Sequence, residues 1–140
     1  MIGFSREKKM SDDDIIVITF GTFDLLHVGH TRILSRAASY GDKLIVGVSS
    51  DGLNCKKKGR RPIYSEEERM ELVSSIKWVD EVFLEESLEQ KREYIKKYNA
   101  HILVMGDDWT DKFNDMADKV IYLSRTPMIS TTDTILKIQK

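Results

Sequence analysis

The chain has 140 residues, with 22 Lys plus Arg against 23 Asp plus Glu, a formal net charge of −1 and one cysteine. A chain of this length buries about two-thirds of its unfolded surface, enough for one core and not two. The balanced charge gives no global electrostatic reason to bind nucleic acid or an anionic membrane, so any cationic site must be local. Cys55 has no internal partner for a disulfide, no apolar stretch is long enough to span a bilayer, and the N-terminus lacks the apolar core of a signal peptide, so a cytoplasmic protein is expected.

Residues 1–14 are polar, with Arg6, Glu7, Lys8 and Lys9 followed by Ser11, Asp12, Asp13 and Asp14. They read as a flexible N-terminal extension to a domain over residues 15–140, because too little apolar surface is available to offset the entropy of ordering. Ile15, Ile16, Val17 and Ile18 then open a run that is β-branched and apolar on both faces, as expected of a buried parallel strand. Gly21 ends it at a sharp strand-to-helix turn. From Val28 the apolar positions Val28, Ile33, Leu34, Ala37 and Ala38 fall close to helical spacing, which puts His27 and His30 on one face of the first turn, both in reach of one ligand. The N–H groups and positive dipole end of that turn attract anions, and Gly29 has no Cβ to hold a phosphate away. Two plainer readings compete: a histidine pair on a helix surface, or half of a metal site completed by His101. No cysteine cluster or H-E-x-x-H supports the metal, and strand, glycine turn and histidines at a helix start is an arrangement that phosphate chemistry uses.

Further strands are predicted at residues 43–48, 81–84, 102–105 and 120–123, with helices at 66–76, 88–98 and 132–138. This is a βαβ series, hence an α/β fold: a Rossmann-like, doubly wound parallel sheet of about five strands with helices on both faces, whose ligands bind beyond the carboxyl ends of the strands. After the second strand, Lys56, Lys57, Lys58, Gly59, Arg60, Arg61 and Pro62 form a basic loop. It is either a solvated loop or, if the histidines meet a triphosphate, a mobile clamp for the remaining negative charge. It has no interleaved aromatics on which bases would stack. Ser65 with Glu68 forms a capping box, and Arg69 follows in the first turns, where a surface arginine is the plain reading. Asp107, Asp108 and Trp109 read as a helix cap beside a packed tryptophan. Ser130 with Asp133 caps the last helix, while Arg125 and the hydroxyls of Thr126, Thr131 and Thr132 add what capping does not need, a second anion site.

Gly21-Thr22-Phe23-Asp24 followed by His27-x-Gly29-His30 resembles the signature of the cytidylyltransferase-like nucleotidyltransferases. The stretches Met105 to Trp109 and Arg125 to Thr132 narrow the likeness to members that act on glycerol 3-phosphate. It runs from about residue 15 to near the C-terminus. The resemblance implies transfer of CMP from CTP to glycerol 3-phosphate, giving CDP-glycerol for polymers such as teichoic acids or capsules. It also implies Mg2+ as cofactor with the triphosphate, and a homodimer that binds neither nucleic acid nor membrane. It assigns catalytic roles to His27 and His30 at the α-phosphate and to Arg125 on the leaving group. Nucleotide contacts would come from Thr22, Phe23, Gly29, Arg60, Arg69, Asp107, Thr126, Ile129, Ser130, Thr131 and Thr132, and acceptor contacts from Asp24, Lys58 and Lys91. Without the resemblance, Lys91 is an ordinary helix-surface lysine. Aligned backward from Arg69, Lys58 and Arg60 match the family's two substrate-contacting lysines; aligned forward from Asp51, Lys57 is the match instead. Lys77 stands where the family commonly has arginine, which keeps the charge and loses bidentate geometry. Pro127 and Met128 depart from the family only at variable positions of the R-T-x-x-x-S-T-T segment.

The implied chemistry is direct. A phosphate monoester has a second pKa near ~6, so at neutral pH it is a dianion and a competent nucleophile without a general base. In-line attack on the α-phosphorus needs positioning and charge stabilisation and no covalent enzyme intermediate. The alternatives are cytidylyl or adenylyl transfer to another phosphorylated alcohol or sugar, and a non-catalytic nucleotide sensor.

Overall fold

Alternating β-branched and helical stretches build a layered α/β architecture. The computed structural model describes residues 4–5, 11–124 and 131–139, with the backbone alone at 4–5 and 131–134. The strands are β1 (Phe4–Ser5), β2 (Ile16–Gly21), β3 (Lys43–Ser49), β4 (Glu81–Glu85), β5 (Ile102–Gly106) and β6 (Lys119–Leu123). The helices are α1 (Val28–Ala38), α2 (Asp51–Lys58), α3 (Glu66–Ser74), α4 (Lys91–Lys97) and α5 (Thr131–Gln139), with a 3-10 turn at Asp107–Trp109.

The sheet runs β1-β4-β3-β2-β5-β6, and β2 through β6 are all parallel. The chain winds from β2 outward to β4, then returns to the other side of β2 with β5. The order therefore reverses between β2 and β5, the position at which such sheets open a ligand crevice beyond their carboxyl ends. Side chains alternate across the sheet as its two-residue period requires. Val17, Val46 and Val104 join one core cluster with Leu34 and Ala37 of α1 and Met70 and Val73 of α3. Ile18, Ile45 and Leu103 join the opposite cluster with Phe83 and with Ile95 of α4. Helices thus cover both faces.

Two segments depart from the sequence reading. Phe4 and Ser5, inside the stretch read as a flexible extension, pair antiparallel with Val82 and Glu81 and add a sixth strand. Edge pairing is made by main-chain groups, so the apolar-content argument did not detect it. Asp14 also closes a turn, accepting the Ser11 N–H at 2.8 Å. The second correction concerns the basic loop, whose first three lysines are the last turn of α2. Ser50 caps that helix by accepting the Leu53 N–H, and Gly59 ends it at φ +72°, a left-handed geometry that a Cβ disfavours. Three lysines in the last turn also complement the helix dipole. Only the stretch from Gly59 to Pro62 is loop.

Candidate active site

The loop between β2 and α1 carries two residues in the left-handed region, Phe23 at φ 55° and Leu25 at φ 47°. Such conformations cost of order 1–3 kcal/mol each and persist where their surroundings over-determine them. Here the surroundings are visible. Asp24 is buried, and its carboxylate accepts the N–H groups of Ile63 (2.7 Å), Tyr64 (2.9 Å) and Leu25 (3.1 Å), tying the loop to the approach of α3. A Cβ on Gly21 would stand 2.8 Å from the Phe23 ring, so only glycine lets that ring fold back against the strand end. Phe23 in turn meets His30 edge-on at 5.5 Å.

His27 and His30 lie stacked, ring centroids 3.8 Å apart, as the spacing predicts. His27 is the N-cap of α1. Its Nδ1 accepts the Gly29 N–H, and His30 Nδ1 accepts the N–H of His27, both at 3.1 Å. With each Nδ1 an acceptor, the neutral ring carries its proton on Nε2. Burial lowers the pKa of both. His30 falls to about 3, first through desolvation and then through its neighbour His27, so at neutral pH both rings are uncharged Nε2–H donors. His27 Nε2 is shielded from solvent and has no hydrogen-bond partner among the described residues. A buried donor without a partner is uncommon and points to a ligand acceptor.

Both rings line a cleft of about 320 Å³ over the strand ends, together with Thr22, Gly29, Lys57, Lys58, Arg60, Glu85 and Lys91. Thr22 donates to Asn54 Oδ1 at 2.7 Å, and Asn54 Nδ2 donates to the carbonyls of Ser49 and Ser50, joining the histidine loop to α2. Of the two alignments of the basic stretch, the forward one gains a specific contact: Lys57 Nζ donates to Ser49 Oγ at 3.2 Å. Lys58 and Arg60 border the cleft from more exposed positions.

Lys91 is no surface lysine. It is 1% exposed, 2.6 Å from Glu85 Oε2, with Nζ 3.6 Å from the centre of the Phe20 ring. Glu85 also accepts from Ser49 Oγ at 3.2 Å. Desolvation lowers the pKa of Lys57 and Lys91, and the charge of Glu85 opposes the shift in both. Glu85, Ser49 and Asn54 escaped sequence reasoning. For Ser49 and Glu85 the one available signal was position, just beyond the carboxyl ends of predicted strands.

Arg69 corrects its reading as a surface arginine. It is 0% exposed, and it does not border the cleft. Nε donates to the Tyr64 carbonyl (3.0 Å), Nη1 to the carbonyls of Thr22 (2.9 Å) and Ser49 (2.7 Å), and Nη2 to Asp51 (2.8 Å). Four of the five guanidinium N–H groups are thereby committed to holding the loop, β3, α2 and the α3 approach together. Asp24 likewise spends its carboxylate on backbone N–H groups although it borders the cleft. Asp107 is exposed and outside the cleft lining, where its neighbours Gly106, Asp108 and Trp109 are found. Lys77 lies over the Trp78 ring at 4.5 Å and is not part of the lining. His101 accepts the Ile16 N–H through Nδ1, far in register from the histidine pair, and no group of three metal-ligating side chains occurs among the described residues. Arg125, Thr126, Ile129 and Ser130 lie outside the described residues, as do the side chains of Thr131 and Thr132, whose backbone opens α5.

The sequence model of the cytidylyltransferase-like family matches residues 18–137. The chain belongs to the cytidylyltransferase-like family. Among family relatives, it is 47% identical over 118 residues to the glycerol-3-phosphate cytidylyltransferase of Bacillus subtilis (strain 168), a match covering 83% of this chain and 91% of that one. It is 45% identical over 118 residues to the glycerol-3-phosphate cytidylyltransferase of Staphylococcus aureus (strain NCTC 8325 / PS 47), covering 83% and 89%. The cytidylyltransferase-like fold is also that of the crystal structure of a lipopolysaccharide core biosynthesis protein from Thermoplasma volcanium GSS1, at a TM-score of 0.69 and 27% identity over 81% of this chain and 98% of that one.

Proposed function

We propose that the chain is a nucleotidyltransferase that transfers CMP from CTP to glycerol 3-phosphate, yielding CDP-glycerol and pyrophosphate. The observation that carries the chemistry is the stacked pair of neutral imidazoles, their Nδ1 atoms fixed by backbone N–H groups and the His27 Nε2 without a partner among the described residues. The substrates follow from the names and coverage of the relatives.

A phosphate oxygen of glycerol 3-phosphate attacks the α-phosphorus of CTP. A new P–O bond forms in line as the α–β bond breaks, and pyrophosphate departs with the bonding electrons. The acceptor dianion brings its own nucleophilic electron pair, so no side chain need remove a proton. The Nε2–H groups of His27 and His30 donate to the α-phosphate as charge grows on its oxygens, an electrostatic contribution made without reorganisation. Uncharged donors suit this role, since they hold the phosphate without trapping it as an ion pair. Lys57 and Lys91 receive the acceptor phosphate, and Arg60 meets the triphosphate. Arg125 and the start of α5 receive the leaving group by family resemblance. Mg2+ bound with CTP would offset the charge of the triphosphate; no group of three metal-ligating side chains occurs among the described residues, and no side chain is assigned to hold it. Among the described residues no helix is long and apolar enough to cross a membrane. A homodimer, as in the family at large, belongs to the same reading and is measured by sedimentation equilibrium.

The test is pyrophosphate release with Mg2+ across CTP, ATP, UTP and GTP against glycerol 3-phosphate and a panel of other phosphorylated alcohols and sugars. Release confined to CTP with glycerol 3-phosphate is expected. Release with another pair replaces the substrate, and nucleotide binding without release overturns catalysis in favour of a sensor.

A further inference from the structure

Four side chains from four elements meet at one side of the cleft: Ser49 at the end of β3, Glu85 at the end of β4, Lys57 on α2 and Lys91 at the start of α4. They form a continuous chain. Lys57 Nζ donates to Ser49 Oγ (3.2 Å), Ser49 Oγ donates to Glu85 Oε1 (3.2 Å), and Lys91 Nζ contacts Glu85 Oε2 (2.6 Å). All four border the cleft. We propose that Glu85 is a positioning residue for the acceptor, holding Lys91 directly and Lys57 through Ser49 so that both ammonium groups face one phosphate, and disfavouring acceptors that bring a second carboxylate.

This rests on the transfer reaction proposed above and assigns work to a residue that reaction does not itself require. Two ammonium groups this close, one of them 1% exposed, repel each other and lose hydration. One carboxylate between them compensates part of both penalties and leaves the cluster with a net charge of +1, which an incoming dianion complements. The geometry is also directional. Lys91 is braced from below by the face of Phe20 at 3.6 Å and more distantly by Phe113 at 5.3 Å, so its ammonium has little freedom apart from its bond to Glu85. The Glu85 carboxylate has accepted two hydrogen bonds out of about four that such a group can take. The remaining lone pairs suit the hydroxyl groups of a phosphorylated alcohol and repel a carboxylate carried on the acceptor. A surface ion pair would do none of this, because water would screen it.

The experiment is steady-state kinetics on the full chain, wild type against Glu85→Gln and Ser49→Ala, with glycerol 3-phosphate and the carboxylate-bearing 3-phosphoglycerate as acceptors, alongside calorimetric titration of inorganic phosphate without nucleotide. Glu85→Gln is expected to raise the KM for glycerol 3-phosphate about tenfold or more, the size of one lost hydrogen bond to a charged group, while the KM for CTP changes less than about twofold. The preference for glycerol 3-phosphate over 3-phosphoglycerate should shrink, and Ser49→Ala should give a smaller rise in the acceptor KM. A parallel rise in both substrates' KM values, or an unchanged acceptor preference, overturns the proposal and leaves Glu85 as support for the fold. If Glu85→Gln does not fold, an acceptor KM unaltered in Ser49→Ala overturns it. Phosphate titration separates the two layers. Weaker phosphate binding in the variants of a chain that shows no transfer would retain the anion site and reject the reaction, whereas equal phosphate binding in wild type and variants rejects the site itself.

Discussion

Replacing Arg69 with methionine distinguishes a ligand from a structural tie. The guanidinium donates to three backbone carbonyls and to Asp51, and its removal leaves the carbonyls of Thr22, Ser49 and Tyr64 without that donor. Each hydrogen bond from this charged group is worth about 1.5–3 kcal/mol, and the desolvation penalty of the buried cation, which methionine does not incur, offsets much of their sum. Asp51 is 18% exposed at its side chain and regains some hydration, which lowers the loss. Methionine restores part of the buried apolar volume. The expected destabilisation is about 3–5 kcal/mol, or roughly 10–15 °C in Tm for a chain of this size. Arg69→Lys should recover part of it, since one ammonium has three donors and no fork. Thermal denaturation followed by circular dichroism, paired with CTP titration, reads both quantities. A variant within about 3 °C of wild type whose CTP affinity has collapsed would refute the reasoning and return Arg69 to the phosphate site.

His27→Ala should lower pyrophosphate release by about 10²-fold or more while costing only about 0.5–2 kcal/mol of stability through the lost N-cap, measured by urea denaturation. Acidification should destabilise the fold through the histidine pair. The folded pKa of His30 lies near 3 against an ordinary 6.5, so the unfolded chain takes up a proton first. Stability is then full above about pH 6.5 and declines as pH falls toward 3. His30→Asn should flatten that part of a stability-against-pH curve, and an unchanged slope would mean that His30 is not buried as a neutral ring.

Most of the sheet was legible because buried parallel strands announce themselves as short β-branched runs, as residues 43–48 and 102–105 did within a residue of β3 and β5. The histidine pair was legible because three-residue spacing at a helix start fixes which side chains share a face. Helix α2 was not. Asp-Gly-Leu-Asn-Cys-Lys-Lys-Lys has no apolar periodicity and a glycine at its second position, and it is helical because Ser50 and Gly59 cap its two ends. Lys91 and Arg69 read as surface groups, and Glu85 passed unnoticed, because their types are seldom fully buried. What buries them is the convergence of strand ends distant in sequence, with hydrogen bonds that no local pattern encodes. Arg69 alone reaches 47 residues back to Thr22.

The two imidazoles that face the cleft are also the closure of the first helix. Turning either ring so that its Nε2–H leaves the cleft would withdraw Nδ1 from the N–H it accepts, and protonating Nδ1 would do the same. Forming α1 and arming the donors are therefore one event. A chain that has folded this turn has its donors ready before any substrate arrives, and whatever disarms them also frays the helix, so a folded resting form with its histidines turned away is not among the low-energy states open to it.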